Sequence, residues 1–224
     1  KKCDMNPSTV FRILKTFMQG AWVHQCDDDR YIIGPRLSYV TERKDLYFAL
    51  KEISVFTMNR VSTQESQAMN LAVRKGNEII ILQQSRSTKL IDLIPPVNSI
   101  LPIHASASGK IILAGMSDPL LEFFLDNINF ERYTENTVTD KAAFKRVIEK
   151  VRQDGYALDC HESLDSAYCI AVPIVRDNGE CFASLSFSGI IGSFDKKILN
   201  HYLPILHSAA DEISKNVFTE YQGL

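Results

Sequence analysis

Apolar positions near the start of the chain recur with the period of a helix. In NPSTVFRILKTFMQG, Val10, Ile13, Leu14 and Phe17 fall at i, i+3, i+4 and i+7, which predicts an amphipathic helix whose apolar face packs inward. Asn6 followed by Pro7 marks its start, because asparagine can accept an orphan backbone N–H and proline has none to leave unpaired. Gly20 marks its end, as a residue that adopts the left-handed conformation without strain. AWVHQ and RYIIG then read as two short strands around CDDD, a small hairpin. From Leu37 to about Met58 a single helix is expected, with Leu46, Leu50, Ile53 and Phe56 along one side and charged residues on the other. It reads as a connector between two domains.

From about Ser62 the pattern changes. SQAMNLAV and EIIILQQ flank a turn at Lys75-Gly76-Asn77, a hairpin. The run KLIDLI ends at Pro95-Pro96, which cannot continue a strand ladder. LPIHASASGKIILAGM places small and hydroxylated residues ahead of an apolar helix start at Lys110. Helices follow at about Asp118–Asn127 and in AAFKRVIEKVRQDG, where Phe144, Val147, Ile148 and Val151 form a stripe and Gly155 the stop. YALDC, AYCIAVPIV and CFASLSFSG are strand candidates, the last two joined by a hairpin turn at Asp177-Asn178-Gly179. The last helix carries Tyr202, Leu206, Ala209, Ile213 and Val217 on one face, with Pro204 bending it or marking a restart. The expected class is α+β: a mainly antiparallel sheet with helices packed on one face. The pattern divides the chain into 1–36, a connector at 37–60, and a larger domain at 61–224.

Composition narrows the function. A formal net charge of −2 over 224 residues leaves any nucleic-acid surface local. Cations outnumber acids by two within residues 1–36. Five cysteines without a repeated short spacing argue against a secreted disulfide framework and for reducing cytoplasm. No apolar run approaches the roughly 20 residues needed to span a bilayer, so no membrane partner is expected. Lys1 is read as the start of a fragment or of its ordered part, with the missing beginning either disordered or truncated.

Several residue sets could carry chemistry. The polar face of the first helix holds Ser8, Thr9, Arg12 and Lys15, side chains that can contact phosphates or base edges in a major groove; Arg30 is the hairpin's candidate contact. The same face would also suit a merely solvated helix. His104, Ser106, Ser108 and Gly109 precede a helix whose free N–H groups favour an anion. Ser184, Ser186 and Ser188 share one face of the last strand, opposite Ala183, Leu185 and Phe187, which suits a sheet with an apolar back and a pocket, or solvent, in front. Cys169 with His161 or His104 and Asp159 could form a hydrolase site, but no helix start follows the cysteine to activate it. No cofactor is expected; the alternative is an adventitious zinc at His161, Asp159 and Cys169, whose spacing matches no compact metal motif. A module that only mediates oligomerisation also stays open.

Three stretches together resemble the IclR family. NPSTVFRILKTFMQGAWVHQCDDDRYIIGPRL resembles the second half of its winged helix-turn-helix, while LPIHASASGKIILAG and GYALDCHESLDSAYCIAVPIVRDNGECFASLSFSG resemble the signature stretches of its effector domain. The resemblance implies a DNA-binding transcription regulator, repressor or activator, that is not an enzyme. It implies a GAF- or PAS-like effector domain, assembly as a homodimer or dimer of dimers, double-stranded operator DNA as partner, and a small carboxylate effector: a 2-oxo, hydroxy or aromatic acid. By correspondence with a glyoxylate- and pyruvate-responsive member, the pocket would comprise Leu90, Leu93 and Leu101 as apolar wall, Ala107, Ser108 and Gly109 at the helix start, and Asp159, Ala167, Cys169, Ser186 and Ser188. Ala107 stands where that member has glycine, and Ala167 where it has leucine; the shorter side chain at Ala167 implies a larger pocket.

Overall fold

The computed structural model describes residues 5–20, 22–25, 30–33, 35–76, 78–89, 94–189 and 196–220. The chain forms two compact units, 1–48 and 49–224.

In the first unit, α1 (Pro7–Gln19) is capped by Asn6, whose Oδ1 accepts the N–H of Ser8 at 3.0 Å. Gly20 ends the helix as expected, but with φ of −86° and not in the left-handed form. Glycine is needed there for room, since a Cβ would fall 2.5 Å from the Trp22 ring. β1 (Val23–Gln25) pairs antiparallel with β2 (Tyr31–Ile33), Val23 opposite Ile33. The acids of the hairpin tip, Asp27 to Asp29, lie outside the described residues. The expected inward packing of α1 is not found: none of its residues is buried, and Phe11 and Phe17 are exposed. Within this unit α1 packs on β1, too small an element to cover a 13-residue helix.

The connector helix, α2 (Pro35–Glu65), is longer than expected at both ends. Leu46, Leu50, Met58 and Val61 are buried along it, together with the small polar Ser54 and Thr57. Phe56 is instead 74% exposed. At about 100° per residue, the six-residue step from Leu50 turns Phe56 well off the buried face.

The second unit is built on a six-stranded, wholly antiparallel sheet ordered β5-β4-β3-β8-β7-β6. Its strands are β3 (Ala68–Lys75), β4 (Glu78–Ser85), β5 (Ile100–Leu101), β6 (Ala157–Cys160), β7 (Tyr168–Val175) and β8 (Cys181–Ser188). The hairpins β3–β4 and β7–β8 meet at the β3–β8 seam, where Asn70 faces Ser186 and Ala68 faces Ser188.

Helices cover both faces, a correction to the one-sided packing expected from sequence. On one face lie α3 (Ala107–Ala114), α4 (Asp118–Asn127) and α5 (Lys141–Asp154). Ile112 of α3 packs with Ala72, Ile79 and Ile81, while Ala107 and Ile111 pack with Ala157, Ala171 and Val151. On the other face lies α6 (Lys196–Glu220), where the Tyr202 ring meets Phe187 edge-on and the Ser214 hydroxyl donates to the Val175 carbonyl. α2 runs beside α6, with Thr57 and Arg60 both donating to the Glu212 carboxylate. The cause is visible in β8, where both alternating sets are buried: small Ser184, Ser186 and Ser188 on the α3 side, larger Leu185 and Phe187 on the α6 side. α6 continues through Pro204 without a restart, and Gly155 closes α5 with φ of +75°, as expected.

Candidate functional site

A cavity of about 380 Å³ opens between the sheet face beneath α3, the start of α3, and the segment leading into it. Asn70, Ser186 and Ser188 line it from the seam, and Asp159 and Cys169 from the adjoining β6–β7 pair. Ser106, Ala107 and Ser108 contribute the helix start. Ser163 adds a further hydroxyl, and most of the remaining wall is apolar, including Ile81, Ile94, Pro95, Ile100, Leu101, Leu164 and Ala167.

Strand periodicity explains the polar set. Asn70, Ser186 and Ser188 share a face because Asn70 pairs with Ser186 and side chains alternate along each strand. Ser184 belongs to the same row but does not line the cavity; it is fully buried and its hydroxyl has no partner. Asn70 donates to Ser188 Oγ at 2.6 Å, whereas the Ser186 hydroxyl points to the Asn70 carbonyl at 3.4 Å. Gln84, opposite Asn70 on β4, donates to Asn70 Oδ1 at 3.2 Å and to the Pro95 carbonyl at 2.8 Å.

α3 is positioned by two features. The Ser106 hydroxyl caps it, accepting the Gly109 N–H at 3.1 Å and donating to the Pro102 carbonyl at 2.7 Å. Gly109 does not line the cavity. Its role is space, since a Cβ there would fall 2.2 Å from the Ile103 carbonyl oxygen.

Asp159 is committed to its own loop. Its Oδ1 accepts the N–H groups of Glu162 (2.8 Å) and Ser163 (3.2 Å), and its Oδ2 accepts the Ser163 hydroxyl. His161 sits in that loop with φ of +59°. The loop is also fastened from outside: the Thr134 hydroxyl donates to the His161 carbonyl and the Thr137 hydroxyl to the Glu162 carbonyl. From beneath, the buried Lys110 ammonium bonds Glu162 at 2.5 Å and the Leu158 carbonyl at 2.8 Å. Burial pushes the Asp159 and Glu162 carboxyls above the ordinary carboxylate range, against the opposing pull of these hydrogen bonds and of Lys110.

Of the pocket residues expected from sequence, Leu101, Ala107, Ser108, Asp159, Ala167, Cys169, Ser186 and Ser188 come together around this cavity. Leu90 and Leu93 lie outside the described residues. Sequence reasoning missed Asn70, Ser163 and Leu164, and named Ser106 only as part of the anion-favouring segment ahead of the helix. Asn70 carried a readable signal, as the one amide between Ala68 and Ala72 on a strand face otherwise made of small residues.

The alternatives from sequence fare differently. Burial pushes the Cys169 thiol up to about 11, so it is held protonated and is a poor nucleophile. His104 spends Nε2 on the Glu131 carbonyl at 2.9 Å, and the His161 ring packs edge-on against Tyr168. Among the described residues no three His, Cys, Asp or Glu side chains gather as a metal site, so His161, Asp159 and Cys169 do not form one. In the first unit Ser8, Arg12, Lys15 and Arg30 are exposed and Thr9 is half-buried. The Ser8 hydroxyl is bonded to Asn6 Oδ1 at 2.8 Å. No helix among the described residues is long and apolar enough to cross a membrane.

Residues 47–215 match the family model described as the C-terminal part of the bacterial transcriptional regulator IclR. The chain belongs to the IclR family. It is similar to the HTH-type transcriptional repressor AllR of Salmonella typhi, 28% identical over 192 residues, which cover 83% of this chain and 69% of AllR. Solved structures share the fold. The Thermotoga maritima IclR is 27% identical with a TM-score of 0.68, covering 96% of this chain and 87% of that one. An IclR homologue from Microbacterium hydrocarbonoxydans, complexed with 4-hydroxybenzoate, is 26% identical with a TM-score of 0.69, again over 96% and 87%. As an IclR-family protein this chain is a DNA-binding transcription regulator with an effector-binding domain, and it is not an enzyme.

Proposed function

We propose that this IclR-family regulator senses a carboxylic acid larger than glyoxylate, in the cavity beside α3, and carries the signal to operator DNA. The observation that carries this reading is the cavity's mixed lining, in which hydroxyl and amide groups and a helix start share the wall with the apolar Ile94, Ile100, Leu101 and Leu164. The polar groups suit a carboxylate; the apolar side chains suit an aromatic ring or branched chain. Its volume of about 380 Å³ falls at the small end of the roughly 300–1,000 Å³ typical of ligand sites, with room for a 2-oxo, hydroxy or aromatic acid beyond two carbons. The complex of the Microbacterium homologue with 4-hydroxybenzoate supports an acid of that size. Asp159 faces the cavity without opposing an anion fully, because its oxygens are satisfied by the Glu162 and Ser163 N–H groups and the Ser163 hydroxyl.

In this reading the sheet and its helices act as a GAF-like effector domain within 61–224, and 37–60 links it to a winged helix-turn-helix. Ser8, Thr9, Arg12, Lys15 and Arg30 meet DNA from α1 and the hairpin, and the chain works in the cytoplasm as a homodimer or dimer of dimers. A module that only assembles is disfavoured by a cavity that the protein's own side chains leave open.

The test is calorimetric titration of the chain with glyoxylate, pyruvate, longer 2-oxo acids, hydroxy acids and aromatic acids, repeated on Ser188→Ala. Saturable binding of one acid, weakened about tenfold or more in the variant, is expected. No heat from any acid overturns the sensor reading.

A further inference from the structure

Four hydrogen-bonded groups, Pro95, Gln84, Asn70 and Ser188, connect one lining residue of the cavity to another, and the first has no choice of polarity. The Pro95 carbonyl can only accept a hydrogen bond. Gln84 presents its amide nitrogen to it at 2.8 Å, so that end of Gln84 is a donor. The same nitrogen lies 3.2 Å from the Asn70 side chain, and the atom facing a donor must be the oxygen. The NH2 of Asn70 is thereby turned to Ser188 Oγ, 2.6 Å away. Ser188 accepts, and its own hydrogen goes elsewhere. The Cys169 thiol is hydrogen-bonded to Ser188 but is a weak acceptor, and the cavity beside it can offer the hydrogen a stronger one.

We propose that the Pro95–Gln84–Asn70 chain fixes Ser188 as a hydrogen-bond donor to the cavity and so selects the acceptor-only end of a carboxylate over its uncharged amide. The proposal rests on the reading of the cavity as an acid-binding site and names what enforces it. Ser186 does not duplicate the role, because its hydrogen is directed to the Asn70 carbonyl. Ala107 and Ser108, in the first turn of α3, line the same cavity, and backbone N–H groups there also donate. A carboxylate offers an oxygen to each of these donors. A primary amide offers one oxygen, and its NH2 then faces a donor.

Gln84 makes the proposal testable, because it stands behind the cavity wall while setting the polarity of a residue that lines it. The experiment is calorimetric titration of the full chain, of Gln84→Met and of Asn70→Asp at pH 8, with two matched pairs, 4-hydroxybenzoate against 4-hydroxybenzamide and pyruvate against pyruvamide. In the unsubstituted chain the acid is expected to bind at least about tenfold more tightly than its amide. In Gln84→Met, Asn70 and Ser188 are free to reverse, and the ratio falls about tenfold through weaker acid and stronger amide binding. In Asn70→Asp, Ser188 donates to the new carboxylate and the preference reverses. Equal weakening of acid and amide in Gln84→Met marks a merely structural role and overturns the proposal, as does an unchanged ratio. Should Gln84→Met fail to fold on a thermal melt, Asn70→Asp decides by the same criterion. If the acid binds but the ratio ignores both substitutions, the sensor reading stands and this one falls. If neither acid binds, this proposal fails, while the sensor reading is decided by the wider panel.

Discussion

The Lys110 ammonium lies 2.5 Å from Glu162 Oε1, with both side chains withdrawn from solvent. A cation from an otherwise apolar helix therefore holds the loop that presents Asp159. Removing it strands a buried carboxylate beside a second one and frees the Leu158 carbonyl. Lys110→Met is expected to lose about 3–5 kcal/mol of unfolding free energy. Adding Glu162→Gln should restore part of that loss. Urea denaturation of the two variants checks this; an additive loss in the double variant would refute the coupling.

Gly109→Ala should be the most damaging glycine substitution near the cavity. Its Cβ would meet backbone, 2.2 Å from the Ile103 carbonyl oxygen, which cannot rotate away, and a loss of about 2–3 kcal/mol is expected. Gly155→Ala meets open space and carries only the strain of φ at +75°, about 1 kcal/mol. Thermal melts should rank them in that order.

His104 is buried among the rings of Phe130, Tyr133 and Phe144, and burial lowers its pKa from the usual 6.5, against the opposing pull of the Glu131 carbonyl. The folded chain thus binds its proton less readily than the unfolded chain. Stability from the neutral ring is complete above about pH 6.5 and is lost as the pH falls below that value. The advantage of the unsubstituted chain over His104→Phe should shrink between pH 7 and pH 5 in paired denaturation curves. An advantage that grows in acid would reverse the sign argued here.

Cys169, with its thiol near 11, should react with iodoacetamide at pH 8 roughly a hundredfold more slowly than an unperturbed thiol, because so little of it is thiolate. A bound acid should slow it further. Mass spectrometry of the labelled peptide reads both effects; labelling at the rate of free cysteine would contradict the raised thiol pKa.

Five of the six strands of the second unit and the helices α3 to α5 were legible because their signals are local: Asp177-Asn178-Gly179 at a turn, Gly155 at a stop; the two-residue β5 was not, and α3 begins at Ala107, ahead of the start read at Lys110. The serine row was readable for the same reason, since Ser186 and Ser188 differ from Leu185 and Phe187 by strand alternation alone. What escaped depends on partners far along the chain. Asn70 becomes a pocket residue only by pairing with Ser186, and Asp159 binds its own loop through a turn that periodicity does not encode. Lys110 looked like one more helical residue until Glu162 and Leu158 were brought to it from some fifty positions away. The outward turn of Phe56 and the helix on the second face are tertiary outcomes of the same kind.

The seam between β3 and β8 has a kinetic consequence. Asn70 and Ser188 are 118 positions apart in the chain, so a large loop must close before the floor of the cavity exists. A chain emerging during synthesis has no binding floor until its last strand has been made and docked. An acid that binds there acts as a late clamp, rewarding only molecules that have already joined their two hairpins, and it should slow unfolding more than it speeds folding.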